Sequence, residues 1–363
     1  MRFAETDSYE RDNPKPNAWR YRDYIIRSLN EDKPYDRFVR EQLAGDELPA
    51  DSYDPIIATG YYRLGLWDDE PVDATQAYYD HLDDVVTTTG QVLLGLTINC
   101  ARCHDHKIDP ISQRDYYRFM AFFHNILNNV RKGKFKDSAF TLNTQVPLAN
   151  PEKATAWRKA NETLDKQLIP IQSRLQELGD KVISQLSQAD KAAAAGGVQE
   201  RQRLIADNVG QVLSVEERAE WISLREQRDQ LIERRPPELL QALAVVENSG
   251  LPPATFVLAR GNAQAREDEV RPGYPGVLNV PDPQLTQSPP DGASCGRRTV
   301  LANWIASSQN ILASRVIVNR VWQHHFSRGI VASSSDFGLG GIAPTIPNYW
   351  IGWPANASGR VGA

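Results

Sequence analysis

Apolar positions recur at helical spacing through most of the first 147 residues. Ala18 to Leu29 places Trp19, Tyr21, Tyr24, Ile25 and Leu29 about a turn apart and predicts an amphipathic helix. Lys33-Pro34 breaks it, and Asp36 opens a second short helix through Phe38, Val39 and Leu43 that stops at Gly45. Asp54-Pro55 begins another apolar stretch, Ile56 to Leu66. Asp73 caps a longer expected helix from Ala74 to about Leu96, with Tyr78, Leu82, Val85, Val86, Val92 and Leu93 inward. The Thr87-Thr88-Thr89-Gly90 run lowers helix propensity in its middle. After Asp109-Pro110, a helix from about Ser112 to Ile126 carries Tyr116, Tyr117, Phe119, Phe122 and Phe123, a pattern of core packing.

From residue 148 the pattern changes. Leu164, Leu168, Ile171, Leu175, Leu178 and Val182 step by four and three, as in the seam of a coiled coil, with a kink expected at Pro170. Ala192 to Gly197 marks a turn region, and Ser214 with Glu217 forms a capping box for a returning helix with Trp221, Leu224, Arg228 and Leu231 along its seam. Three heptads fit an antiparallel hairpin arm over 148–237 that would hold a protein partner or space domains. Residues 238–296 read as a proline-rich linker with one short strand, Thr255 to Ala259, before Arg260-Gly261-Asn262. A further helical domain starts over 297–341. One helix uses Val300, Leu301, Trp304 and Ile305, and a second, Ile311 to Phe326, has Val316, Val318, Val321, Trp322 and Phe326 inward. The tail, 342–363, has neither helical nor strand periodicity and reads as truncated or frame-shifted. The fold class is therefore mainly α: a helical first domain, an inserted coiled-coil hairpin and a truncated helical C-terminal domain.

Composition narrows the function. The 363 residues carry 41 basic and 46 acidic side chains, a net charge of −5, which disfavours nucleic acid as a partner. There is no run of about 18 apolar residues, so no transmembrane segment is expected. The N-terminus has no apolar stretch of a secretory signal, and the chain reads as a fragment at both ends. Three cysteines exclude a disulfide scaffold.

Two of those cysteines carry the chemistry. Cys100-Ala101-Arg102-Cys103-His104 matches the C-x-x-C-H pattern of covalent haem c attachment. Thiols three residues apart on one helical turn reach both vinyl groups of one haem, and the adjacent imidazole becomes the proximal iron ligand. Two alternatives stand beside this. Cys100, Cys103, His104, His106 and Asp109 offer a zinc set. The cysteines could also form a redox or structural pair. For a distal haem ligand, Met120 is the one internal methionine, His106 is too near His104 to reach the opposite face, and His81, His124, His324 and His325 remain; a five-coordinate iron is the other option. Cys295, in a polar loop, reads as a bystander. Asp83-Asp84 reads as a solvated helical face, with the alternative that a carboxylate orients His104 or His106. No nucleophile triad or phosphate loop is recognisable, and enzymatic activity is left open.

The stretches RFAETDSYERDNPKPNAWRYRDY, NEDKPYDRFVREQLAGDELP and GLTINCARCHDHKIDPISQRDYYRFMAFF resemble the planctomycete cytochrome-c-like domain of unknown function. RRTVLANWIASSQNILASRVIVNRVWQHHFSRGIVASSSDFG resembles the start of the domain of unknown function that usually follows it. The resemblance implies an exported protein, periplasmic or extracellular, associated with polysaccharide-degrading systems; a hydrolase reading rests on that context alone. The sequence departs from the resemblance after Gly341, where Pro344 to Trp350 replaces the usual helix. The leading expectation is a haem c-binding protein that transfers electrons to a redox partner. The alternative is a non-redox scaffold or binding protein whose Cys-x-x-Cys-His-x-His segment holds a structural metal.

Overall fold

The structure is a computed structural model that describes residues 5–6, 14–49, 51–65, 71–127, 145–248, 252–285 and 294–346. The expected irregular tail therefore lies outside the described residues from 347 onward, as does the end of the Ile56–Leu66 stretch. The described residues are mainly helical, with two small two-stranded sheets. They divide into two compact units, residues 1–146 with 241–363, and residues 147–240.

In the first unit, α1 (Trp19–Asn30) and α2 (Tyr35–Ala44) form where the apolar spacing predicts. Tyr21, Tyr24 and Ser28 of α1 turn inward, whereas Trp19 and Leu29 stay about half exposed. At 100° per residue Trp19 sits opposite the Tyr21–Tyr24–Ser28 face, so it cannot share their burial. Gly45 ends α2 because a side chain there would collide with the Pro55 backbone, its Cβ only 1.8 Å from the carbonyl oxygen. That contact seats α3 (Asp54–Ala58).

Asp73 caps α4 (Ala74–Thr89) by accepting from the Thr75 and Gln76 amides at 2.9 and 3.0 Å. Leu82, Val85 and Val86 face the core. The α-helical pattern gives way at the weak Thr87–Gly90 run to a π-helical turn, Gly90–Leu94. The wider turn changes the phase, so Leu93 stays buried while Val92 turns out to 40% exposure. Gly95 (φ 65°) then reverses the chain into the cysteine motif. Ser112 and Asp115 complete a capping box at the start of α5 (Gln113–Met120). The rings of Tyr116, Tyr117, Phe119, Phe122 and Phe123 are fully buried and make the centre of a single core that also includes Leu43, Leu82, Leu94, Leu301 and Ile305.

The stretch expected as a linker carries three strands. β1 (Gln145–Pro147) pairs with β2 (Gln241–Leu243). β3 (Thr255–Leu258) runs antiparallel to β4 (Arg266–Val270), with Thr255 opposite Val270, Leu258 opposite Arg266 and a bulge between Phe256 and Leu258. β4 reads REDEV and is exposed over its first four residues, so it offers no alternation for a sequence pattern to catch.

Helix α10 (Arg297–Ile305) buries Leu301, Ala302 and Ile305 in the common core, and α11 (Ile311–Phe326) buries Ala313, Val316 and Asn319. Val321, expected inward, is 40% exposed because it lies off the Ala313–Val316–Asn319 face, whereas Phe326, expected inward and on that face one heptad after Asn319, is 62% exposed as the last residue of the helix. Arg298 at the start of α10 is wholly buried. It grips Asp46 with both terminal nitrogens at 2.6 and 2.7 Å and donates its Nε to Glu247 at 2.8 Å, with Glu47 at 3.1 Å. The spare oxygens are also used. Glu47 accepts from Ser294 and from the Thr299 amide, and Glu247 from Asn125 and the Cys295 amide.

The second unit is the arm. α6 (Pro151–Ser184) is capped by Asn150 and continues through Pro170, where neighbouring Ile169 is exposed and water can take the carbonyl that proline leaves without a donor. α7 (Gln188–Ala195) and α8 (Val198–Val212) follow, so the expected turn region is itself helical on either side of Gly196-Gly197. The Ser214–Glu217 capping box opens α9 (Val215–Glu233), both of its hydrogen bonds being present. All six expected seam residues of α6 are buried or half-buried. Leu178 and Val182 meet Val209 and Leu213, with Trp221 and Leu224 against them. α6 and α9 are antiparallel, because Trp157 bonds the Pro237 carbonyl while Arg174 clamps Glu220 with two bonds of 2.8 and 2.9 Å.

Two outcomes follow for the first unit. Replacing Arg298 by Met strands the Glu47 and Glu247 carboxylates in the interior and is expected to cost about 3–5 kcal/mol in urea unfolding; a loss below about 1 kcal/mol would contradict the role given to Arg298. Burial, seconded by Arg63, pulls the His81 pKa from 6.5 down to about 3, and burial, seconded by Arg297, pulls His124 from 6.5 down to about 4. Below pH 6.5 the unfolded chain takes up protons that the folded chain refuses, so stability present above that pH drains away towards pH 4. Glu247, held below its ordinary 4.5 by Arg298 against the opposing effect of burial, adds a further loss at still lower pH. Unfolding measured at pH 7 and pH 5 should show the drop, and His124→Gln should make it smaller; a flat profile in the parent chain contradicts the assignment.

Candidate functional site

The motif is carried by a 3-10 helix, Ile98–Arg102, with Cys103 following at φ −105° and ψ −25°. Ile98 anchors it, packing where Gly90 has no side chain; a Cβ at Gly90 would come within 2.7 Å of Ile98. Ala101 is fully buried beneath the turn. Cys100 and Cys103 are both exposed and not bonded to each other, and the 3-10 turn sets them one helical turn apart at the surface, as the spacing implies.

The backbone between them is held from three directions. The Arg102 carbonyl accepts from Gln113 Nε2 and from Tyr117 Oη, each at 3.0 Å. The same Gln113 amide donates to the Leu258 carbonyl at 2.9 Å and so ties the motif to the end of β3. The Arg102 side chain is drawn back onto α4, pairing with Asp80 and, at 3.3 Å, with Asp83. Asp83 also accepts from Tyr116 at 2.5 Å. Burial raises the Asp83 pKa despite these donors. Burial works against the Arg102 charge, but Asp80 and Asp83 hold its pKa up. Asp83 thus orients the arginine inside the motif rather than either histidine.

His104 is exposed, and its Nδ1 lies 2.6 Å from the Asp105 carbonyl oxygen. A carbonyl only accepts, so Nδ1 carries the proton and Nε2 keeps the lone pair that a metal would take. His106 is arranged the other way. Its Nδ1 accepts the Ile108 and Asp109 amides at 3.2 and 2.8 Å, which places the proton on Nε2, beside Thr97 Oγ1 at 3.2 Å. Its side chain is 8% exposed. Asp109 is buried too, and its carboxylate accepts the Leu339 amide at 2.6 Å. His106 and Asp109 therefore shape the loop after the motif and fasten it to the segment beyond α11. Of the zinc set, Cys100, Cys103 and His104 face solvent while His106 and Asp109 are engaged inside. Among the described residues no three His, Cys, Asp or Glu side chains come together to hold a metal ion.

The expected distal ligands lie elsewhere. Met120 is 1% exposed within the core. His81 is buried, and His124 is buried beside Tyr78 and Tyr79 with its Nδ1 2.8 Å from Thr255 Oγ1. His324 and His325 are exposed in the last turn of α11. Cys295 is buried beside Glu247, and burial pushes its thiol up to about 11, in keeping with an inert thiol. Cys100, Cys103 and His104 are the groups that would hold a covalently attached haem, and all three are exposed. Sequence reading missed Gln113 and Tyr117 as supports. Both lie on a helix correctly foreseen, but their target is a backbone carbonyl, which leaves no mark in a residue pattern.

Hydrogen exchange tests the loop architecture. His106→Ala should speed exchange of the Ile108 and Asp109 amides by at least about tenfold while leaving α4 unchanged; unaltered protection would show that the imidazole does not hold them.

No helix among the described residues is long and apolar enough to cross a membrane. Comparison with known proteins finds no matching curated protein and no matching solved structure. Two family models do match. Residues 1–128, which include the cysteine motif, match PSCyt2, a protein of unknown function (DUF1549), and residues 297–349, which begin at α10, match PSD1, a protein of unknown function (DUF1553).

Proposed function

We propose that this chain is a haem c-binding protein with an electron-transfer role. Cys100 and Cys103 are the attachment points and His104 is the proximal ligand. The observation that carries the reading is the combination of two exposed thiols on one turn with an exposed His104 whose Nδ1 lies 2.6 Å from the Asp105 carbonyl, so that Nε2 is the nitrogen left to an iron. A bound haem would supply one-electron chemistry. The protein's own part is to hold the attachment turn rigid through Gln113 and Tyr117 and to keep Nδ1 of His104 protonated through Asp105. Met120, His81 and His124 lie in the interior and would not be available to a haem held at the surface motif, whereas His324 and His325 are exposed. The exposed motif suits a partner that docks directly over it, since electron transfer needs close approach rather than a large interface. Haem c attachment takes place in exported proteins, so this reading goes with a periplasmic or extracellular location.

The test is a pyridine haemochrome spectrum of denatured protein made in the periplasm with the haem-attachment machinery. A c-type band should travel with the polypeptide, and Cys100→Ala combined with Cys103→Ala should abolish it. His104→Ala should change the spectrum of the folded protein. A colourless parent chain, with free thiols or with zinc bound, overturns the proposal, and the zinc result would favour the scaffold reading.

A further inference from the structure

The cysteine motif has a neighbour that its own sequence does not announce. β3 ends in a tight turn, Ala259–Gly261, in which two consecutive residues adopt left-handed backbone: Arg260 at φ 52° and Gly261 at φ 73°. Arginine pays for that conformation, and such strain persists only where the surroundings impose it. The turn brings the Gly261 α-carbon against the motif. A Cβ built on Gly261 would stand 3.1 Å from Cys103 Sγ, 3.3 Å from Arg102 Nε and 3.4 Å from Arg102 Cγ. Gln113 fixes this approach, because its amide bonds both the Arg102 and the Leu258 carbonyls. Gly261 is buried, so one flank of the Cys103 side chain is closed by bare backbone.

From this we infer that Gly261 is a positioning residue for Cys103: by lacking a side chain, it leaves Sγ the room to bond a vinyl-bearing tetrapyrrole. The inference rests on the haem reading above and deepens it. The step needs space and no oxidant. Cys103 adds its S–H across one vinyl C=C; sulfur bonds the carbon next to the ring, the thiol hydrogen goes to the terminal carbon, the π bond is consumed, and no electrons leave the pair of reactants. A methyl group at position 261 would press on the sulfur and on the arginine side chain behind it, and the arginine is already tied to Asp80 and Asp83.

Two experiments test this on the full chain. In the haem-free protein, alkylation by iodoacetamide is followed separately at Cys103 and Cys100 by peptide mass spectrometry, with Cys100 as the internal reference. Gly261→Ala should lower the Cys103-to-Cys100 rate ratio by about threefold or more. Gln113→Ala, which unties the turn from the motif, should raise it. In the haem-loaded protein, Gly261→Ala should keep the Cys100 thioether and lose the one at Cys103, and the haemochrome band should move to longer wavelength because one vinyl group survives. An unchanged ratio in a folded Gly261→Ala chain overturns the inference; if that variant does not fold, an unchanged or lowered ratio in Gln113→Ala overturns it. Failure of the parent chain to bind haem would instead defeat the haem reading, and the thiol ratio would still report on Gly261.

Discussion

One buried guanidinium organises the larger unit. Arg298 reaches three carboxylates from two distant parts of the chain, the neighbours Asp46 and Glu47 and the remote Glu247, and it does so with no exposure to solvent. Ions cost a great deal to desolvate, so this arrangement holds only because every carboxylate oxygen has a donor, Glu47 and Glu247 drawing on groups besides Arg298. Those groups are Ser294, Thr299, Asn125 and the Cys295 amide. The cluster binds the turn after α2, the strand region near residue 247 and the start of α10 into one body. It also explains why the two segments that match separate families share a core: Leu301 and Ile305 of α10 complete the apolar layer that Leu43 and Phe123 begin.

That frame sets the geometry at the surface motif. The aromatic helix α5 is buried on its core side, while Gln113 and Tyr117 reach from it to the Arg102 carbonyl. α4 contributes Asp80 and Asp83 to the arginine between the cysteines. The motif is therefore a short exposed turn with a rigid foundation, and rigidity is what a preorganised attachment or ligand site requires. The histidines divide the work. His104 keeps a lone pair for chemistry, whereas His106 spends its own on two backbone amides.

The helices were legible because their signals are local. The Asp73 cap, the Ser214–Glu217 box and the α6 seam each occupy one segment, and a periodic pattern reads a segment well. The exposed Cys100–His104 turn is local in the same way, since five consecutive residues carry the motif. What escaped is long-range. Nothing near Arg298 in sequence names Asp46 as its partner, and nothing in Arg260-Gly261 points to Cys103. Val92 was misplaced because a π turn alters which side is inward without altering composition, and Phe326 because a helix end leaves even an in-phase position uncovered. β4 escaped because a charged, exposed strand lacks an alternating pattern.

The arm has one further consequence, which concerns the order of assembly. Its two ends meet: the Leu148 amide bonds the Leu240 carbonyl at 2.6 Å, and β1 pairs with β2 immediately beyond. A chain that had to bring residues 146 and 241 together from a disordered state would bear the closure entropy of the whole intervening stretch. Once α6 has paired with α9 from the turn end, where Arg174 and Glu220 are closer in sequence than Trp157 and Pro237, that stretch is no longer a loop but a closed stem with its base joined. The contacts between the early helices and Arg298 then span a shorter effective chain than the numbering suggests. The arm in this sense shortens the folding problem of the unit into which it is inserted.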